Sequence, residues 1–320
     1  MLSSPRVKLA VILILYVILA VSYSVVTPIG RGADEWAHYW YAQFISDRGR
    51  LPASAAEREA AGYKSDWPPL YHLAAAVVTG WVDTAGPPAF KYREASVRHQ
   101  LVPSFGPEAI LHTEDERLPW QQEILVWHLG RLLSIIFSTG SLVVTFQIGL
   151  AVFPLLLFVP NNSRQGRKSL GSPTVQALAL IAVAIMAFNP RYLFTGMLFS
   201  YDSLTLFLSA LFLWLAVRIV QGCCQRWGFW GLGLLAGLAL VTKYLALLLP
   251  LAILFVAATG RRQPGRNFWK NIGQSALAYV PVVSWWFWYL LVNFNEIDSY
   301  GPILGTLAPL LRGDGSDRTV

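Results

Sequence analysis

The chain has 320 residues, of which 55% are hydrophobic and only 13% charged, with a formal net charge of +7. A soluble protein of this size carries about 25% charged residues, and here the apolar residues fall in long unbroken blocks, so the composition excludes an ordinary soluble domain and points to a membrane. The excess of basic residues would suggest a nucleic-acid partner in a soluble protein, but its confinement to loops between apolar blocks accounts for it without nucleic acid.

In chain order the blocks predict an all-α, multi-pass membrane bundle of about seven crossings, in a single membrane domain spanning residues 1–320. Leu9–Val26 has no internal charge and follows Arg6 and Lys8. It is long for a signal-peptide core and no small-x-small cleavage site follows it, so it reads as an uncleaved anchor running from inside to outside. A long outer loop occupies 27–123, and six further spans are expected within 124–292. Leu125–Phe153 returns, and Thr174–Phe188 goes out. Ser203–Val220 comes back to Arg226, and Ile272–Val292 goes out. Gly228–Thr259 is apolar for about 32 residues, too long for one crossing of a core roughly 30 Å thick. It therefore reads as two short spans, or a hairpin with Lys243 near its outer tip. This places Arg164, Arg167, Lys168, Arg226 and the cluster Arg261, Arg262, Arg266 and Lys270 inside, and every acidic residue from Asp34 to Asp317 outside or at an outer helix end. Tyr71–Val82 is too short to span and is expected as an interfacial helix on the outer leaflet. The tail 293–320 stays outside.

The adjacent pair Cys223 and Cys224 cannot build a disulfide framework. It lies beside an inner helix end, where lipidation is one reading and chance the plainer one. No internal repeat, heptad run, glycine-rich phosphate loop or zinc-spaced Cys/His set is present. Arg312-Gly313-Asp314 is a chance tripeptide, and the sequon Asn161-Asn162-Ser163 falls on the inner side. His72, His99, His112 and His128 read as surface or interfacial histidines.

The chemistry concentrates in Thr27–Leu73. Helical spacing would put Asp34 and His38 on one face, with Tyr41 a turn further and Glu35 beside them. A carboxylate near a neutral imidazole can act as a general base toward a hydroxyl. The same set could hold a divalent cation (Mg or Mn), or be a solvated acidic helix start that favours the dipole.

A run Asp34-Glu35-x-x-His38-Tyr39-x-Tyr41-Ala42 just after the first span is followed by Gly49-Arg50-Leu51-Pro52 and Trp67-Pro68-Pro69-Leu70-Tyr71. Then come His128-Leu129-Gly130-Arg131, Asn189-Pro190 with Ser200-Tyr201-Asp202, and Gly237–Tyr244. In this order the motifs resemble the membrane glycosyltransferases of the C fold class, the superfamily of protein O-mannosyltransferases and aminoarabinose transferases. The resemblance implies transfer of a sugar from a polyprenyl-phosphate-linked donor to an acceptor that the sequence leaves unidentified, at the outer face of the cell membrane. It implies Asp34 as catalytic base, with Glu35 and His38 supporting it or binding a metal, and Asp202 as a second acid around a cation. Tyr201 stands where Asn is usual. Tyr41, Tyr71 and Tyr201 are expected to support the site.

Expulsion of a polyprenyl phosphate calls for fixed cations, and Arg131, Arg191 and Lys243 lie at predicted outer helix ends. The blander readings are snorkelling for Arg131, a loop charge for Arg191 and a structural pair with an acid such as Asp202 for Lys243. Trp285, Trp286, Trp288 and Tyr289 read as an aromatic belt, or as a surface that stacks on the sugar or lines a prenyl channel. Members of the superfamily are usually longer. The resemblance thus leaves open a split enzyme, or a noncatalytic subunit working with a membrane partner chain. A transporter would place acids within the spans, which is not the pattern here.

Overall fold

The computed structural model describes residues 4–85, 91–92, 110–111, 114–157, 172–224, 227–259 and 267–295. The interhelical Arg164, Arg167, Lys168, Arg226, Arg261, Arg262 and Arg266, the histidines His99 and His112, the sequon at 161–163 and the tail from 296 onward lie outside the described residues.

The first helix, α1 (Pro5–Val26), starts with Pro5 in its first turn, where proline's missing N–H is no loss. Tyr16 and Ala20 are buried while Ile14 and Ile18 are more than half exposed. One stripe packs and the rest meets lipid. Three short helices follow, α2 (Glu35–Arg48), α3 (Ala55–Ala61) and α4 (Leu70–Thr79). Two-residue strands β1 (Lys91–Tyr92) and β2 (Ile110–Leu111) pair antiparallel, Lys91 opposite Leu111. The long helix α5 (Gln122–Leu156) then leads to α6 (Pro173–Ala187), α7 (Pro190–Met197) and α8 (Asp202–Val220). The last three are α9 (Gly228–Leu240), α10 (Leu249–Thr259) and α11 (Phe268–Phe294).

Among the described residues four helices, α1, α5, α8 and α11, are long and apolar enough to cross a membrane, or five if α6 and α7 form one broken span. The chain is an α-helical membrane protein. The expected seven counted two spans in Gly228–Thr259. The chain does break there, but its pieces are a 13-residue α9 and the stretch Tyr244–Thr259, each shorter than the roughly 17 residues a crossing needs. Helix α4 is likewise too short to span, and it packs on α2 and α5.

Both interruptions have local causes. Between α6 and α7 the axis bends by 66°. Pro190 forces the preceding residue out of the helical region, and the Asn189 side chain accepts the amides of Arg191 and Tyr192 to start a new helix. After α9 the chain becomes extended at Lys243, and the freed carbonyl of Val241 accepts the Leu70 amide of α4 at 3.0 Å. A backbone acceptor stranded by the break is thereby satisfied.

Helix α5 is the axis of the bundle, with α1, α4, α6, α7 and α8 all packed on it. The α9–α11 contact is built differently, by close backbone approach. A Cβ at Gly233 would lie 2.1 Å from the Ser275 carbonyl oxygen, and Ser275 donates to the Phe229 carbonyl at 2.8 Å. Lipid offers no hydrophobic drive for this contact, so packing and such hydrogen bonds hold it. Gly233→Ala should therefore destabilise by about 1–3 kcal/mol, as overpacking does. Thermal unfolding in detergent should show a lowered midpoint, while Gly273→Ala, which meets open space on α11, should not shift it.

Candidate active site

The end of the bundle where α1 finishes and α5 and α8 begin is held by one buried ion pair. Arg131 on α5 and Glu35 at the start of α2 are both fully buried. Arg131 Nε and Nη2 donate to the two oxygens of Glu35 at 2.7 and 2.8 Å. Its Nη1 donates to the carbonyls of Ser24 and Thr27 at 2.6 and 2.8 Å, and Nη2 also to that of Pro28 at 3.2 Å. A guanidinium has five N–H donors, and all five are spent. Glu35 Oε1 also accepts the Phe199 amide at 3.0 Å. The pair thus ties α1, α2, α5 and the α7–α8 turn together. This differs from the expected roles of Glu35 in catalysis and of Arg131 at a donor phosphate: neither reaches solvent, and Arg131 has no donor left to give. Nor does Arg131 snorkel.

Asp34 stands just before α2 with φ of 60°, in the left-handed region, and its side chain does not cap the helix. That backbone state costs a non-glycine residue, though Asp tolerates it better than most. Its effect is to swing the carboxylate away from the helix, so Asp34 and His38 do not share a face as helical spacing predicts. The Tyr63 hydroxyl donates to Asp34 Oδ1, and Lys64 Nζ lies 3.0 Å from Oδ2. The carboxylate remains 48% exposed. Partial burial pushes its pKa up, but the hydrogen bonds from Tyr63 and Lys64 and the charges of Lys64 and Lys243 outweigh this and hold it below the ordinary aspartate range.

Lys64 is a buried lysine, 5% exposed. Its ammonium sits 4.0 Å from the Trp67 ring centre and 3.4 Å from the Tyr201 hydroxyl. Also near Tyr201, Lys243 Nζ lies 2.5 Å from Asp202 Oδ1. Both ammonium groups are within 5.5 Å of the centre of the Tyr201 ring. The structure therefore gathers Asp34, Lys64, Lys243 and Asp202 around one aromatic ring, two charges of each sign. Of these the sequence reading missed Lys64. A lysine in a polar, turn-forming run such as Gly62–Asp66 reads as a solvated charge, and nothing in its spacing contradicts that.

Behind the ring lies a line of uncharged polar groups. His38 and His72 are buried, with His38 Nδ1 and His72 Nε2 2.9 Å apart, and His38 Nε2 is 3.5 Å from Ser200 Oγ. Ser200 Oγ accepts the Asp202 amide at 3.3 Å. Burial, aided by Lys64, pushes His72 down to about 3, and burial, then His72, Lys64 and Lys243, push His38 far down as well. Both are neutral imidazoles at neutral pH, one donating to the other. His72 is thus an interior residue rather than a surface one. His128, also buried, stacks on Trp120 at 3.7 Å.

The expected metal set does not assemble. His38 faces His72 and Ser200 rather than Asp34, both acids face ammonium groups, and no three metal-ligating side chains converge among the described residues. Tyr71 bonds Ser134 Oγ at 2.7 Å and supports α5. Tyr41 is buried beside His72, their ring centres 4.4 Å apart. Arg191 is exposed on the first turn of α7 and makes no ion pair with a described residue. Trp286 is fully buried, donates to the Tyr244 hydroxyl at 2.9 Å and stacks on Tyr289, whose hydroxyl donates to the Pro52 carbonyl. Trp288, by contrast, is 69% exposed.

The chain is thus a multi-pass α-helical membrane protein with a charged cluster at one bundle end. Residues 167–288 match the family described as dolichyl-phosphate-mannose-protein mannosyltransferase, a membrane glycosyltransferase family of the C fold class. The resemblance read from the motifs is borne out over that stretch, which runs from before α6 into α11 and includes Asp202 and Lys243 but not Asp34. The match supports a glycosyltransferase that uses a polyprenyl-phosphate-linked sugar. No curated protein and no solved structure matches the chain.

The ion pair gives a direct test. Glu35→Gln or Arg131→Met leaves the other charge buried and unpaired, which costs about 3–5 kcal/mol. Arg131→Lys should also fail, since an ammonium cannot span five acceptors. Loss of folded protein on size exclusion in detergent would be the readout, and a monodisperse, fully stable Arg131→Met protein would refute the role given to the pair.

Proposed function

We propose that the chain is an inverting glycosyltransferase acting at the outer face of the cell membrane, moving a sugar from a polyprenyl-phosphate donor to an acceptor hydroxyl. The observation that carries the proposal is the convergence of the Lys64 and Lys243 ammonium groups with the Asp34 and Asp202 carboxylates around Tyr201.

In this reading the acceptor's O–H gives its proton to Asp34. Its oxygen bonds the anomeric carbon from the face opposite the phosphate, and the bond from that carbon to the phosphate oxygen breaks, the electron pair leaving with the phosphate. The negative charge that grows there meets the two lysines, fixed in a half-dry site where charge interactions are stronger than in water. Among the described residues Lys64 uses two of its three donors and Lys243 one, which leaves donors for phosphate oxygens. Asp202 holds Lys243 in place. Arg191 and Arg131 have no part in this scheme. The isoprenoid tail would lie along the shallow apolar groove of about 360 Å³ on α11, lined by residues including Val283, Phe287 and Trp288. Val283 packs with Leu240 and Val241 beside the break that presents Lys243.

With dolichyl-phosphate mannose as probe in membranes bearing the full chain, Asp34→Asn should lower sugar release by about 10²–10⁴-fold, the worth of a general base. Full activity in that variant would sink the assignment. Lys64→Met and Lys243→Met should each reduce kcat/KM. Because Asp34 is held below the ordinary aspartate range, the base stays ionised through mildly acidic pH. The acid limb of kcat/KM should then fall below that range and move up in Lys64→Met. Sidedness is tested by Ala56→Cys, on exposed α3, in a Cys223→Ser/Cys224→Ser background. A membrane-impermeant maleimide should label intact cells, and labelling only after lysis would invert the orientation.

A further inference from the structure

We infer that Tyr63 is an internal stand-in for the acceptor: its hydroxyl occupies the place beside Asp34 that an acceptor hydroxyl must take, and the acceptor enters by displacing it. The inference rests on Asp34 being the base.

A carboxylate base needs one oxygen within hydrogen-bond reach of the proton it removes. The two oxygens of Asp34 are not equivalent. Oδ2 faces inward to Lys64, a 5% exposed ammonium that is itself tied to the Tyr201 hydroxyl. An acceptor there would have to dislodge a buried charge. Oδ1 faces the open side, and the group already on it is another hydroxyl, that of Tyr63. The phenol O–H donates to Oδ1 as a sugar or side-chain hydroxyl would at the start of transfer.

The segment that carries Tyr63 is built to let it leave. Residues 62–66 form a turn between α3 and α4. Gly62 enters it with φ of +81°, and its missing Cβ lets the Trp40 ring pack at a distance where a side chain would press to 3.0 Å. The two neighbours in the turn differ. Lys64 and Ser65 are buried, whereas Tyr63 is only partly so, its ring edge-on to Trp36 with centres 6.1 Å apart. Rotating Tyr63 outward gives up the contact of its ring with the Lys64 ammonium, 5.3 Å from the ring centre, while Trp67, Tyr201 and Asp34 Oδ2 continue to hold Lys64. A phenol on the base also keeps water off it while no acceptor is bound. Water at Oδ1 would lose its proton to Asp34, attack the anomeric carbon and waste the donor as free sugar and polyprenyl phosphate.

The test is Tyr63→Phe, which keeps the ring and removes the hydroxyl. In membranes with dolichyl-phosphate mannose and no added acceptor, hydrolysis of the donor should rise by roughly tenfold, the worth of a hydrogen bond to a charged group, and Asp34→Asn in the same background should abolish the gain. Independently of turnover, coupling of Asp34 to glycine ethyl ester by a water-soluble carbodiimide, read by peptide mass spectrometry, should increase in Tyr63→Phe. If hydrolysis and labelling fall or stay the same, Tyr63 merely positions the base and the inference fails. Finding a sugar covalently on Tyr63 in the unmodified chain would overturn it too, because Tyr63 would then be an acceptor. These outcomes separate from failure of the base itself, which would leave wild type and Asp34→Asn equal in the activity assay while the labelling comparison still decides the place of Tyr63.

Discussion

The geometry of the charged site depends on a pair of charges that takes no part in it. Glu35 and Arg131 sit one residue from Asp34 and within α5, fully out of water. Burying an ion pair gains little stability, since desolvation consumes most of the attraction. What the pair gains is uniqueness. Arg131 accepts only an arrangement in which five oxygens, from α1, the loop after it and α2, surround it at once. Glu35 in turn fixes the Phe199 amide, two residues before Tyr201. Any shift of α2 or of the α7–α8 turn strands a charge in an apolar medium, at a cost of several kcal/mol. Asp34 and Tyr201 are therefore set relative to each other by a joint that lies behind both.

Given that joint, the balance of the site follows. Two lysines enter a partly buried volume only because two carboxylates accompany them, and the Tyr201 ring is a further partner near both. In this arrangement the charges cancel. Under the proposed function, a phosphate arriving among them would find its counter-charges in place, without the reorganisation that water would require. The neutral His38 and His72 beside the ring add hydrogen bonds and no charge at neutral pH.

Much of the fold was legible from composition, because lipid permits few backbone solutions and each leaves a run of apolar residues. The spans α1, α5, α8 and α11 coincide with the apolar blocks, and the position of the break near Lys243 was legible from a run too long for one crossing and too apolar to leave. The family motifs were legible as motifs, but their physical parts were not. Leu51 and Pro52 dock on α11, where Leu51 joins the cluster around Trp286 and Tyr289 bonds the Pro52 carbonyl. Trp67 stacks on Tyr201 with ring centres 5.4 Å apart, and Tyr71 braces α5. These are joints that bring distant segments together, and joints and catalytic groups use the same residue types. Helical periodicity misled at Asp34, because the residue lies in the left-handed region just before the periodicity starts. Lys64 was invisible for a different reason: besides the neighbouring Trp67, its burial needs Tyr201 and Asp34 arriving from two distant segments, and no local pattern encodes that meeting.

The two interrupted helices take on meaning from the same constraint. In a bilayer a helix break exposes carbonyls and amides that only protein or water can satisfy, so breaks survive where something is gained. Here the bend between α6 and α7 leads through the short α7 to the Leu198–Tyr201 turn, and the break after α9 leads directly to Lys243. One supplies the amide that Glu35 holds, and the other the carbonyl that Leu70 bonds. The break after α9 is thus satisfied by the segment Glu35–Leu70, which also holds the turn that follows α7 and carries Asp34's partners Tyr63 and Lys64. A straight helix in either place would carry Lys243 or Tyr201 past the site along its axis and leave that segment without its attachment to the bundle. The loop and the broken helices are complementary halves of one structure, and the charged cluster forms where they meet.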